Sequence, residues 1–183
     1  VRLLCLNPSD GSVIWTETIC RLLEAQNVVS EGLRRIAGLS PVYCNGQLLC
    51  PTSCGFLLAY DLASRRWSWG FGYETSTLHP DVQFRQPAIR MNSVPRMHYD
   101  ALRSKTRWSE SSVVTDGSKV VLASIDSDEL HCIDLLTGKG VWSVARLSGH
   151  YVAGLYQGRV IVVDRDRVRA LSLDNGRSEE HTS

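Results

Sequence analysis

A short pattern recurs along this chain and limits what it can fold into. Its fullest copy runs from Asp134 through Thr137, Gly138 and Lys139 to Trp142, a tryptophan eight residues after an aspartate. The aspartate can accept hydrogen bonds from the turn it opens, and Gly138 supplies the positive φ that closes it. Trp142 is a large apolar group that a strand can plant between packed layers. Asn7 with Gly11 and Trp15, and Asp61 with Trp69, repeat the spacing. A fourth copy begins at Ser172 with Gly176, and its tryptophan would fall where the chain has Glu180.

Upstream of these opening residues the sequence repeats as well. Asn45-Gly46, between two apolar runs, is a signal for a type I′ hairpin. Gln157-Gly158 and Asp116-Gly117-Ser118 take the same place in two further copies. Second turns at Ser53 to Gly55, Asp126 to Asp128 and Asp164 to Asp166 lead into the strand that carries the opening residue. Each full unit therefore reads as four short antiparallel strands. From Asp134 to Ser172 is 38 residues, close to the roughly 40 of one propeller blade. Apolar residues come in short β-branched runs between Gly and Asp turns, not at helical spacing. The prediction is an all-β chain, a partial β-propeller of about three to four four-stranded antiparallel blades. Blade remnants are expected at 1–18, 36–73, 111–146 and 150–176.

Two units carry extra chain, at 18–35 and 73–110. In the first, Ile19, Leu22, Leu23, Val29 and Leu33 form a rough helical stripe that predicts a short helix. The second has three prolines, no clear period and a run of bases: Arg85, Arg90, Arg96, Arg103, Lys105 and Arg107. Long loops of this kind tend to be functional or mobile, so these residues are candidates for a partner-binding or anion-binding loop over one face. Residues 177–183 look like a translated sequencing adapter and are expected to be a non-native tail. Val1 already lies in a strand-like run, so the chain reads as a fragment.

A net charge of +1 gives no footprint for nucleic acid, and no apolar run approaches the roughly 20 residues of a membrane-spanning helix. The six cysteines are irregularly spaced and read as buried thiols. Cys44, Cys50 and Cys54 do not converge in the register that Asn45-Gly46 sets, so no zinc site is expected. Asp126, Asp128, Glu129, Asp164 and Asp166 sit in turns, where turn chemistry accounts for them better than cation binding does. His79, His98, His131 and His150 have no serine or carboxylate at motif spacing, so no catalytic triad is proposed. Trp67 and Trp108 have no place in the repeat.

The run from Asp134 to Lys139 followed by Trp142 resembles the tryptophan-docking motif of pyrroloquinoline-quinone (PQQ)-type propellers. In that family the tryptophan docks on the next blade and rings usually close with eight blades. The resemblance assigns structural docking to Asp134, Gly138, Trp142, Asp61, Trp69, Asn7, Gly11, Trp15, Ser172 and Gly176, with the tryptophans mostly buried. The family holds PQQ- and calcium-dependent dehydrogenases as well as non-enzymatic scaffolds such as the outer-membrane assembly lipoprotein. This chain lacks the adjacent cysteine pair of several dehydrogenases. The resemblance therefore implies a non-catalytic scaffold that binds a protein partner without a cofactor, in an extracytoplasmic compartment. The alternative is a quinoprotein oxidoreductase whose active-site blades lie outside this stretch.

Overall fold

A strand can be apolar at consecutive positions when both of its faces are covered. Val120-Val121-Leu122-Ala123 is such a run, and in the computed structural model of the protein all four residues are fully buried. The structure describes residues 2–19, 40–52, 55–75, 108 and 111–178. Their regular structure is all strand, in four antiparallel sheets. The first blade has β1 (Arg2–Leu6) and β2 (Val13–Thr18). The second has β3 (Val42–Cys44), β4 (Gln47–Pro51), β5 (Phe56–Asp61) and β6 (Arg66–Gly72). The third has β7 (Ser112–Thr115), β8 (Lys119–Ala123), β9 (Glu129–Asp134) and β10 (Gly140–Ala145). The fourth has β11 (Gly149–Tyr156), β12 (Arg159–Asp164) and β13 (Val168–Ser172). Within each sheet the strands pair in chain order.

The blades stack face to face, and the core lies between them. Val120, Leu122 and Ile133 of the third blade pack against Leu49, Leu57 and Ala59 of the second. Their neighbours Val121, Ala123, Leu130 and Cys132 pack the opposite way, against Val152, Val160, Val162 and Leu171 of the fourth. Strand alternation thus sends successive side chains into two different cores. Each buried Val, Leu or Ile contributes about 1.5–3 kcal/mol relative to exposure. The opening strand β7 contacts the opening strands β3 and β11 of the blades on either side. This is a partial β-propeller.

Each tryptophan of the repeat follows a bulge. Trp15 lies opposite Cys5, Trp69 opposite Ala59 and Trp142 opposite Cys132, and the ladder slips by one residue next to each pair. A bulge bends and twists its strand locally and re-aims the side chain beside it. The residue facing the indole is small every time, a regularity that spacing alone did not reveal. The three tryptophans are mostly but not fully buried.

The stretch around the predicted helix, 20–39, lies outside the described residues. So do residues 76–107, with Arg85, Arg90, Arg96, Arg103, Lys105 and Arg107. At the other end, Ser172 N donates to Arg177 O at 2.8 Å and Ser178 bridges to Leu171. The first two residues of the expected tail therefore continue the ladder that Asp134, Lys139 and Gly140 form in the third blade.

Candidate functional site

The turns joining the last two strands of each blade share one hydrogen-bond scheme. Thr137 donates from its amide and its hydroxyl to Asp134 Oδ1 at 2.8 and 2.7 Å, and Gly138 N donates to Asp134 O at 2.9 Å. The Thr137 hydroxyl, with its amide, holds the Asp134 carboxyl below its ordinary range. Ser64 does the same for Asp61. At Asn7 the side-chain oxygen accepts from Ser9 N at 3.0 Å, and Gly11 N donates to Asn7 O at 2.8 Å. Ser172 accepts from Gly176 N at 2.8 Å.

These turns are where neighbouring blades meet. Trp69 of the second blade donates from Nε1 to Leu135 O of the third at 2.9 Å, and its indole lies over Gly138. Trp142 repeats this one blade on, donating to Leu173 O at 2.9 Å and lying over Gly176. A Cβ at Gly138 would fall 2.6 Å from the Trp69 ring, and one at Gly176 would fall 2.8 Å from Trp142. Both glycines also have positive φ, 69° and 71°. The second blade differs: Arg65 occupies the glycine position, at φ 54°. Trp15 of the first blade instead rests tilted on Tyr60, with ring centroids 5.8 Å apart.

The opposite end of the blades holds the buried polar and charged groups. Between the second and third blades, the Tyr73 hydroxyl lies 2.9 Å from both Ser124 Oγ and Asp126 Oδ1. Ser124 Oγ donates to the same carboxylate, and Gly55 N donates to its other oxygen at 3.1 Å. Beside it, His131 is buried, with Ser127 Oγ 3.0 Å from Nε2 and Ser143 Oγ 2.8 Å from Nδ1. Phe71 and Tyr73 of the second blade flank its ring. Burial pushes the His131 pKa down, against the pull of Glu129 and Asp126.

Ser127, His131 and Glu129 have the connectivity of a nucleophile, a base and a carboxylate, which sequence spacing missed. The geometry does not support that use. Ser127 is 1 % exposed, and Ser143 holds Nδ1 more closely than Glu129, whose Oε2 is 3.8 Å away. The group works as a seam between two blades.

Between the third and fourth blades, Arg169 pairs with Asp164 through Nε at 2.6 Å and Nη2 at 3.0 Å. Burial acts to raise the Asp164 pKa, but Arg169, with Arg167, more than offsets it and the carboxyl titrates below its ordinary range. Trp108, at the end of the second insertion, is 1 % exposed and donates from Nε1 to Glu129 O at 3.3 Å. It fills the space over Gly149. Tyr73 and Trp108 thus fasten both ends of that insertion to the third blade, and nothing in the repeat spacing had singled out either. Burial also pushes the Cys50 and Cys132 thiols up to about 11.

Two of the turn carboxylates already have partners within the fold. Asp126 is engaged by Tyr73, Ser124 and Gly55, and Asp164 by two arginines. Among the described residues no three of His, Cys, Asp and Glu converge as metal ligands. None of these residues forms a helix long and apolar enough to cross a membrane.

A family model described as outer membrane protein assembly factor BamB matches residues 90–179. Those residues carry the third and fourth blades with their tryptophan contact. Over these residues, just under half of the chain, the sequence matches a PQQ-like repeat. BamB from Moraxella catarrhalis superposes with a TM-score of 0.62 at 14% identity, over 98% of this chain and 43% of that one. A europium-containing methanol dehydrogenase superposes with a TM-score of 0.54 at 11% identity, over 97% of this chain and 37% of that one. Identities this low establish the fold alone. The chain spans less than half the length of either structure. No curated protein sequence matches it.

Proposed function

We propose that this PQQ-like propeller is a non-catalytic scaffold that binds a protein partner through the turns at its polar end, without a cofactor and in an extracytoplasmic compartment. The observation that carries the reading is how the polar end is divided. The buried imidazole and carboxylate there are already engaged, His131 by Ser127 and Ser143 and Asp164 by Arg169, while Phe56, Leu147 and Arg165 face solvent. Exposed apolar side chains with adjacent arginines suit a protein surface better than they suit a reaction centre. The family model's description, an assembly factor, points the same way.

The competing reading is a PQQ- and calcium-dependent dehydrogenase, a possibility that the methanol dehydrogenase neighbour keeps in view. Two experiments separate them. Adding PQQ and calcium to the purified chain should leave the quinone absorbance unchanged; a bound-quinone spectrum with dye-coupled alcohol oxidation would sink the scaffold. A photocrosslinker at Leu147 should capture a discrete partner from cell-envelope extracts, whereas one at Leu136, on the opposite turns, should not.

A further inference from the structure

Arg146 ends the third blade, at the turn into β11, and is 7 % exposed. Its Nη1 donates to Gly149 O at 2.7 Å, while its Nε is buried without a hydrogen-bond partner. Among the described residues no carboxylate pairs with it. Arg169, equally buried at 7 %, shows a completed arrangement a few ångströms away, since its Nη2 also donates to Arg146 O at 3.0 Å. Asp164 engages Arg169 with two hydrogen bonds along its Nε–Nη2 edge and is reached by Arg167 Nε at 3.4 Å. The buried carboxylate at this end is therefore spent on its neighbours.

Burial pushes the Arg146 pKa down, Asp128 and Asp164 oppose that shift, and Arg165 adds like charge. A guanidinium does not discharge in a protein. Left buried without a counter-ion, it is a cost to the fold that an incoming anion would relieve. Beside it Leu147 is 65 % exposed and held at φ 55°, a conformation that costs a non-glycine residue free energy and recurs at binding sites.

We propose that Arg146 anchors a carboxylate-binding site at the turn between the third and fourth blades, and that it takes an acidic side chain of a protein partner. With Nη1 held by Gly149, the Nε edge is the side a planar carboxylate engages with two parallel hydrogen bonds. Exposed Arg165 steers acids toward the turn, and Leu147 offers an apolar contact next to the charge. Asp128 and Asp164 limit the positive field, which favours a single carboxylate over a multiply charged anion. The inference rests on the scaffold reading for the ligand being part of a protein, but not for its being a carboxylate.

The test has two arms on the full chain. In the first, Tm is followed in sodium acetate against sodium chloride at matched ionic strength, and acetate should raise it. In the second, a fluorescein-labelled glutamate-rich hexapeptide should bind at least about tenfold tighter than its glutamine counterpart, the worth of one charge-assisted pair. Arg146→Met should lose both effects while its own Tm holds or rises, because an apolar chain removes the uncompensated charge. Should that variant fail to fold, Arg146→Lys, which keeps the charge but not the planar fork, should weaken peptide binding several-fold. A response to acetate with no preference for the glutamate peptide sinks the protein partner, and the scaffold reading with it, and leaves a site for free carboxylates. No response in either arm, or both responses retained in Arg146→Met, overturns the site.

Discussion

The contact between the second and third blades and the contact between the first and second use the same tryptophan spacing and reach different geometries. Trp69 lies flat over Gly138 and hydrogen-bonds Leu135 O. Trp15, at the same place in its own blade, meets a turn whose glycine position holds Arg65, and it rests on Tyr60. The blade that donates the indole is alike in the two cases, down to the bulge and the small residue opposite. What differs is the receiving turn. The contact is thus decided by a single missing Cβ, because a ring stacked within van der Waals distance of a backbone leaves no room for one.

The largest effect should come from the contact between the third and fourth blades, which has a second anchor. Trp108→Ala should cost about 3–5 kcal/mol in urea denaturation, the range for deleting a fully buried tryptophan. A loss under about 1 kcal/mol would mean that Trp108 merely decorates the insertion. Trp69→Ala and Trp142→Ala each delete a hydrogen bond and a stacked ring, and each should cost about 3 kcal/mol. Trp15→Ala should cost less, and equal losses at the three positions would break the contrast between the interfaces.

Two glycines sharpen it further. Gly11 and Gly138 have φ of 73° and 69°, but a Cβ at Gly11 would meet nothing within 4 Å. Gly11→Ala should therefore register the backbone term alone, about 1 kcal/mol. Gly138→Ala adds the overlap with Trp69, a further 1–3 kcal/mol or about that. The difference between the two variants measures the docking contact, and a difference near zero would remove it. Conversely, Arg65→Gly should relieve its positive φ at a stability gain of a few tenths of a kcal/mol, about what added chain entropy leaves. It should also shift the Trp15 fluorescence as the ring gains access to the turn.

The smallest effect is the pH response of the seam. His131 titrates below its ordinary 6.5 when folded, so the folded state binds fewer protons than the unfolded one as the pH falls past that value. Stability should be complete above about 6.5 and should decline as the pH drops toward the folded pKa. Asp164, with its lowered pKa, adds a decline of the same sign in the more acidic carboxylate range. His131→Gln should flatten the first decline and leave the second, as read from urea midpoints across pH. An unchanged profile would show that His131 carries no linked proton.

Much of the fold was legible because a propeller blade is a local object. Turn residues such as Asn45-Gly46 and Asp134 with Gly138 act within a few positions, and the recurrence of the tryptophan fixed the unit length. The polar end was less legible. His131, Ser127 and Ser143 are drawn from two strands and a turn of one blade, and Tyr73 reaches Asp126 across 53 residues. No spacing rule links Tyr73 to Asp126, since their meeting depends on how one sheet stacks on the next. Trp108 was passed over for the same reason, standing in an insertion with no repeat to compare it with.

From sequence alone came the four-stranded unit, its turns, the placement of the tryptophans and the resemblance to PQQ-type propellers. The tertiary structure decided which tryptophans lie over a glycine, which carboxylate is spent on which arginine, and that Arg146 is buried with no paired carboxylate among the described residues. The reason is physical. Turn and strand preferences are set by neighbouring dihedrals and alternation, whereas burial and charge pairing are set by surfaces that meet only when the blades stack.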